Sequence, residues 1–162
     1  MQFSLLELSA SQLAALADSK TPAGFSEVAL PGALPPPFVA ARALAFAEAG
    51  HLQPWSTSFL IMNNATTKCV GACGFKTIPH NGRVEVGYGV APIARGLGAA
   101  TAALDILLAK AFATGIVEVL AEVEQANVAS TRVVQKLGFQ RVGERIDEDN
   151  EHLIQWLKRA EA

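Results

Sequence analysis

The sequence has little charge, few cysteines and no long apolar run. Only 17% of its 162 residues are charged and 51% are hydrophobic, which excludes a disordered chain and predicts one folded domain over residues 1–162. A net charge of -2 disfavours nucleic acid or an anionic membrane as a partner. No apolar run approaches the roughly 18 residues of a membrane span. The N-terminus also lacks the basic segment of a signal peptide, so we expect a cytoplasmic protein, monomeric or homodimeric.

The two cysteines, Cys69 and Cys73, lie four positions apart in a strand-like run. On a strand their Cα atoms would be roughly 13 Å apart, which is too far for a disulfide. We find no cluster of further ligands near them in the sequence, so we expect no metal site. Both cysteines are interpreted as reduced, small apolar side chains.

Hydrophobic periodicity and turn residues predict an α/β (α+β) domain. The predicted strands cover residues 3–8, 58–62, 67–77, 83–90, 117–123, 139–146 and 152–159. The predicted helices cover residues 9–18, 38–49, 97–114 and 127–137, with residues 20–37 as a loop. The three middle strands form an antiparallel meander and the later elements alternate, which indicates a mixed, mostly antiparallel sheet with helices on both faces.

The stretch PIARGLGAATAALD, from Pro92 to Asp105, places two glycines where a long helix begins. The first backbone N–H groups of a helix have no internal partner, and the helix dipole favours anions there. Gly96 and Gly98 remove side chains that would keep a phosphate away, Arg95 supplies a forked cation, and Thr101 offers a hydroxyl. We predict a buried stripe on this helix, made of Leu97, Ala100, Leu104, Leu107 and Ala111.

Two familiar phosphate-binding motifs do not fit this segment. A dinucleotide fingerprint needs a third glycine at position 101, where Thr101 stands, and it follows an early strand of a parallel sheet. A P-loop ends in Gly-Lys-Ser/Thr, and no lysine is present. Taken alone, the two glycines leave a plain turn and an anion site as open alternatives.

Two motifs in order resemble the GNAT superfamily of N-acetyltransferases. RGLGAA fits its arginine/glutamine-x-x-glycine-x-glycine/alanine signature through Arg95, Gly98 and Ala100, and NVASTRVVQKLGFQRVG at 127–143 resembles its second signature. VEVGYGV at 84–90 and KLGF at 136–139 are similar to the RimJ/RimL-like branch, whose members acetylate protein N-termini and assorted amines. The resemblance implies acetyl-CoA as the acetyl donor. It implies cofactor contacts from Val90, Arg95, Gly96, Leu97, Gly98, Ala99, Ala100, Thr101 and Asn127.

The resemblance also implies a sheet splayed beside the strand at 83–90, with the thioester arm along that strand. The backbone of Val90 would serve the arm and the developing oxyanion, although a bulge without a ligand role is an alternative. Glu85 and Glu122 are candidates for the general base, with a pKa raised by burial to about 6–7. A purely structural role stays open for each glutamate.

Many relatives carry a proton-donating tyrosine where this chain has Val134. Tyr88, the only tyrosine, is expected to pack inward elsewhere, so Ser130 is the best substitute as the acid. Ser130 could instead only cap its helix, although Asn127 is the better N-cap.

The resulting hypothesis is an enzyme that transfers acetyl from acetyl-CoA to a primary amine, on a peptide N-terminus or a small molecule, by direct attack. The alternative is a GNAT-fold module that binds acyl-CoA as a sensor without turnover. A dinucleotide-dependent oxidoreductase is a distant third.

Overall fold

The computed structural model describes residues 1–161, in which seven strands form one sheet. The strands are β1 (Phe3–Glu7), β2 (Ser58–Asn63), β3 (Lys68–Phe75), β4 (Arg83–Val90), β5 (Glu118–Glu124), β6 (Gln140–Ile146) and β7 (His152–Arg159). The helices are α1 (Ala10–Ala17), α2 (Phe25–Val28), α3 (Pro37–Glu48), α4 (Ala99–Ala113) and α5 (Val128–Lys136).

The strands lie in the order β1-β2-β3-β4-β5-β7-β6. Every neighbouring pair is antiparallel except β4 and β5, which are parallel and joined through α4. A parallel connection needs such a crossover because the chain must return to the same end of the sheet. The predicted mixed, mostly antiparallel sheet is therefore confirmed.

The sheet opens between β4 and β5. Their pairing runs from Arg83 opposite Glu118 to Val86 opposite Ala121 and then stops. Beyond that point β4 pairs only with β3, up to Gly71 opposite Val90, while the end of β5 pairs only with β7. The two strands therefore diverge into a gap, which we call the splay, bordered by residues 87–90 and 122–124.

Helices cover both faces of the sheet. Phe59, Cys73 and Tyr88 are cross-strand neighbours on one face, and the Lys110 ammonium of α4 lies 5.3 Å from the Phe59 ring centroid. Side chains alternate along a strand, so α4 covers this face. The opposite face of the sheet, to which Gly87 belongs, lies across a cavity from α3, and residues of both the sheet and α3 line that cavity. We call this side of the sheet the α3 face.

The helix after the two glycines begins later than predicted. Gly96 and Gly98 have φ of +80° and +87°, a left-handed conformation that cannot belong to an α-helix, so α4 starts at Ala99. Leu97 therefore lies outside the helix and is 56% exposed. The predicted stripe was wrong at Leu97 and Ala100, and the buried residues of α4 are Ala99, Ala103, Leu104, Leu107, Leu108 and Ala111.

The segment predicted as a loop at residues 20–37 contains the short helix α2 and an isolated bridge from Ala29 to Cys69. Cys69 and Cys73 are both free and buried, as expected. Among the helices of residues 1–161, none has the length and apolar character needed to cross a membrane.

Candidate active site

A cavity of about 630 Å³ lies between α3 and the splay. It is lined by the loop before α3, by α3, by the adjoining ends of β2 and β3, by β4 from Val86 onward, by the end of β5, and by the residues at the start of α5. Arg95 borders it beside α4, and Arg42 borders it on α3. The cavity therefore extends from the splay and from a surface that α3 covers to Arg95 of the predicted anion site, whereas residues 96–101 do not line it.

Residues 95–101, which we call the glycine turn, form the N-terminal end of α4. A Cβ added to Gly96 or Gly98 would meet no atom within 4 Å, which means that the space above the backbone is open. Glycine is favoured at both positions because of the positive φ and not because of crowding. The first backbone hydrogen bond of α4 runs from the Ala102 N–H to the Gly98 oxygen. The N–H groups of the preceding residues, Ala99 to Thr101, are therefore available to an anion.

Asn127 stands at the N-terminus of α5. Its side-chain oxygen accepts a hydrogen bond from the Ser130 N–H at 3.0 Å, which confirms it as the N-cap. Both residues also line the cavity, so the cap fixes the position of the Ser130 side chain at the edge of the splay.

The backbone of Val90 faces the splay. In the same strand, the Glu85 oxygen accepts from the Lys76 N–H and the Ala91 N–H donates to the Val70 oxygen, so these odd-numbered positions point toward β3. Backbone groups alternate in direction along a strand. The N–H groups of Tyr88 and Val90 therefore point into the gap, where β5 no longer pairs with them.

Tyr88 lies at the cavity wall, where the sequence did not place it. Its hydroxyl oxygen is 3.5 Å from the Ser130 backbone oxygen, a long hydrogen bond across the splay. Burial raises the pKa of Tyr88, and a hydrogen bond with the Ser130 side chain opposes this in part. Val134, at the position of the expected tyrosine, is fully buried in the core. A phenol does reach the site, but from β4 rather than from α5.

Glu122 is held as a carboxylate on the cavity wall. Arg145 donates to both of its oxygens, at 2.6 and 2.8 Å, and Gln155 donates to one at 3.1 Å. The hydrogen bond from Arg145 is the main cause of a lowered pKa, and it outweighs the opposing effect of burial. The expectation that burial raises the pKa of Glu122 was therefore wrong, because its partners favour the charged form.

Glu85 is paired with Lys76 through a 2.8 Å salt bridge. The aliphatic part of Lys76 lies across Gly87, where an added Cβ would be 3.1 Å from it. Gly87 thus makes room for the lysine that reaches Glu85, and Glu85 itself is not among the residues that line the cavity. The structure separates the two predicted glutamates, since only Glu122 reaches the wall.

Known proteins resemble this chain in sequence and in fold. The family model described as acetyltransferase (GNAT) domain matches residues 5–140. The chain belongs to the GNAT family. An uncharacterized N-acetyltransferase, p20 of Bacillus licheniformis, is 32% identical over 94 residues, which are 57% of this chain. The match spans 53% of p20, about half of its length.

Solved structures share the GNAT fold across nearly the whole chain. Ribosomal-protein-S5-alanine acetyltransferase from Vibrio fischeri is 17% identical with a TM-score of 0.71, covering 98% of this chain and 93% of that one. Mycobacterium smegmatis RimJ, solved in complex with CoA-disulfide, is 22% identical with a TM-score of 0.69, covering 98% and 82%. At these identities the similarity shows the fold alone.

Within this GNAT domain, one cavity brings together Arg95 of the glycine turn, Val90, Glu122, Asn127 and Ser130, whereas the other residues of the turn do not line it. Two further residues on its wall, Arg42 and Tyr88, were not predicted. Neither belongs to a recognisable motif. Their positions follow from the placement of α3 and from the splay, which periodicity does not reveal.

Proposed function

We propose that this GNAT domain is an N-acetyltransferase that moves the acetyl group of acetyl-CoA to a primary amine by direct attack. The observation that carries the proposal is a cavity that runs from the unpaired edge of β4 to Arg95, the first residue of the turn at the open N-terminus of α4. The helix N-terminus suits a pyrophosphate and the strand edge suits an extended thioester arm. We propose that residues 1–162 form a single domain and that the protein is cytoplasmic and a monomer or homodimer.

The cofactor placement follows from the donors available. The pyrophosphate would lie on the glycine turn, where Gly96 and Gly98 leave the space open and Arg95 adds a positive charge. The arm would run along residues 87–90 in the splay, toward the N–H of Val90. A fixed backbone donor at that point would stabilise the negative charge that develops on the thioester oxygen.

Two of the chain's own groups would then transfer the protons, and a third would orient one of them. The amine nitrogen forms a bond to the acetyl carbon as the bond from that carbon to sulfur breaks. Glu122, already ionised, takes the amine proton through an intervening water. Tyr88, next to Ser130, gives a proton to the departing thiolate; this assigns to Tyr88 the donor role first predicted for Ser130, whose side chain then orients the phenol.

The amine acceptor would resemble those of the RimJ/RimL-like branch, a peptide N-terminus or a small amine. Structures with this fold include a ribosomal-protein-S5-alanine acetyltransferase and a spermidine N-acetyltransferase, so the fold accommodates acceptors of both kinds.

Release of free thiol from acetyl-CoA, followed with a panel of primary amines, tests this function. We expect amine-dependent release above the rate of hydrolysis and stabilisation of the folded protein by acetyl-CoA. A ligand at 100 times its dissociation constant adds about 2.7 kcal/mol to the free energy of unfolding. The absence of any thermal shift at millimolar acetyl-CoA would exclude the proposal.

The second candidate is a sensor that binds acyl-CoA without turnover. It is favoured by Val134, which replaces the proton donor of many relatives and is buried in the core. A sensor would be stabilised by acetyl-CoA but would release no thiol above background with any amine. Competition by NAD(P) against acetyl-CoA would indicate the dinucleotide alternative instead.

A further inference from the structure

The α3 face presents one cation that has no salt-bridge partner among residues 1–161. Arg42 projects from α3 to the cavity wall and is half-buried. Burial lowers its pKa, and the more distant charge of Glu85 opposes the shift in part. A guanidinium stays charged at neutral pH, and partial desolvation makes an unpaired charge costly. Arg42 is therefore poised to gain from an anion that enters the cavity.

The other charged groups on this face already have partners. Lys76 pairs with Glu85 at 2.8 Å, and Arg145 pairs with Glu122. The remaining charged residues of the cavity wall are Arg95, in the glycine turn, and Glu124, which is exposed and is the last residue of β5. Arg42 is thus the cation of the α3 face whose donors are free for a ligand.

The surroundings of Arg42 separate it from the proposed cofactor contacts. It shares one side of α3 with Phe38 and Val39, which also line the cavity and stand three or four positions away. Phe38 is 67% exposed, so it offers an apolar surface at the rim. The proposed pyrophosphate site is on α4, a different element. An anion bound by Arg42 would therefore be held by α3 rather than by the turn proposed for the pyrophosphate, which leaves that anion to the acceptor.

We infer that the acceptor is a primary amine that carries a carboxylate, and that Arg42 binds this carboxylate through its forked donors. The inference rests on the proposed acetyltransferase function and narrows its substrate class. An arginine and a carboxylate form a bidentate pair that is stronger and more directional than a neutral hydrogen bond. A polycationic amine would instead meet the positive charge of Arg42.

Matched amines with and without a carboxylate test the assignment. Glycine, β-alanine and γ-aminobutyrate would each be compared with the corresponding carboxamide, in thiol-release assays with the whole protein. Phosphoethanolamine and an aspartate-containing dipeptide would distinguish other sources of the anion. We expect the native protein to favour at least one carboxylate over its amide.

In Arg42→Gln we expect kcat/KM for that carboxylate to fall at least tenfold, mainly through KM, while kcat/KM for its amide changes less than twofold. For each amine, dividing kcat/KM of the variant by kcat/KM of the native protein removes the intrinsic reactivity of that amine from the comparison. Arg42→Lys should restore part of the preference. Arg141→Gln, which removes a cation from the exposed strand β6, should leave the preference unchanged.

Equal losses for carboxylate and amide, a preference for spermidine, or weaker acetyl-CoA binding in Arg42→Gln would overturn the inference. If no amine stimulates thiol release, the acetyltransferase function itself fails. Calorimetric titration of the CoA-loaded protein with the same pairs then still decides whether Arg42 distinguishes a carboxylate from an amide.

Discussion

Among single residues, Glu122 shows how hydrogen-bond partners outweigh burial. Its side chain is only 5% exposed, which by itself would disfavour the charged form. Arg145 and Gln155 nonetheless hold it as a carboxylate with a lowered pKa. Such a group is ready to receive a proton at neutral pH but is a weak base. Its contribution to catalysis should therefore lie below that of a base whose pKa is near 7.

We expect Glu122→Gln to lower kcat about 10- to 100-fold and Glu85→Gln to lower it less than about fivefold, because only Glu122 reaches the cavity. Initial rates at saturating acetyl-CoA would measure both. Because the pKa of Glu122 is lowered, this group becomes protonated only at a pH below the ordinary glutamate value of about 4.3. A loss of activity that already sets in above that pH must therefore come from other groups. A larger loss in Glu85→Gln would assign the base to Glu85.

Gly71 is required where β3 approaches β4 most closely. An alanine Cβ there would overlap the Gly89 carbonyl oxygen and lie 3.0 Å from the Val90 Cα, and these backbone atoms cannot rotate away. Gly74 on the same strand is the matched control, since its added Cβ would be 3.5 Å from the Ser58 Cα, an ordinary contact.

Urea denaturation should therefore show Gly71→Ala destabilised by about 1–3 kcal/mol relative to Gly74→Ala, with weaker acetyl-CoA binding because Val90 must move. Equal unfolding midpoints for the two variants would mean that the strands separate at little cost.

The site residues that could be predicted from the sequence are those that act together with residues adjacent to them in the chain. The glycine turn follows from its own spacing, since the two glycines, the arginine and the helix start are contiguous. Tyr88 was expected to pack inward, but the absence of a partner strand beside this end of β4 places it at the cavity wall. Arg42 gave no local signal, because its role depends on α3 lying opposite a distant strand.

At the scale of elements, the splay makes a prediction about backbone exchange. The N–H groups of Tyr88 and Val90 face a gap, whereas Val86 still lies in the paired part of β4. Acetyl-CoA in the splay should slow amide hydrogen exchange at Tyr88 and Val90 by about tenfold or more beyond the slowing at Val86, which reports global stabilisation. Residue-resolved exchange measures this, and NAD is the control ligand. Uniform protection along β4 would argue for global stabilisation without an arm in the gap.

The terminal hairpin of β6 and β7 is tied to β5 by a pH-dependent contact. Arg145 on β6 reaches over β7 to Glu122 on β5 and lowers the pKa of that carboxyl. A lowered pKa in the folded state contributes stability above the unfolded value of about 4.3, and this contribution is lost as the pH falls through the folded value.

The unfolding midpoint of Arg145→Gln should therefore lie below that of the native protein at pH 7 and converge with it as the pH falls below the unfolded value of about 4.3. Denaturation at a series of pH values checks this, with Arg141→Gln, on the same strand, as the control. A constant difference at all pH values would mean that Arg145 stabilises the hairpin by packing.

Long periodic elements could be predicted from the sequence, and short or splayed ones could not. All seven strands were predicted, because alternation and turn residues mark them locally. The helix α2 spans only Phe25–Val28, which is shorter than two helical turns and leaves no periodic pattern. The splay was expected only from resemblance. Strand pairing depends on partners distant in sequence, and no residue pattern within β4 indicates where its pairing with β5 ends.

In the whole molecule, the two faces of the sheet have different roles, one in packing the core and one in forming the cavity. One face packs on α4 and forms much of the core, including Val84 and Val86. The α3 face carries the charged groups and the cavity. The proposed cofactor turn sits at the end of α4, so a ligand there contacts an element whose other residues are buried. Ligand binding should therefore be visible in the stability of the entire chain.

Gly98→Trp and Gly98→Ala separate ligand blocking from backbone strain. Both variants place a side chain at φ +87° and should lose a similar stability, about 1–2 kcal/mol, since the Cβ of either would meet no atom within 4 Å. Acetyl-CoA at 100 times its dissociation constant should raise the melting temperature of the native protein and of the alanine variant by about 5–10 °C. The indole should occupy the pyrophosphate position and abolish that rise. A thermal shift retained in Gly98→Trp would move the cofactor away from the glycine turn, whatever reaction the domain performs.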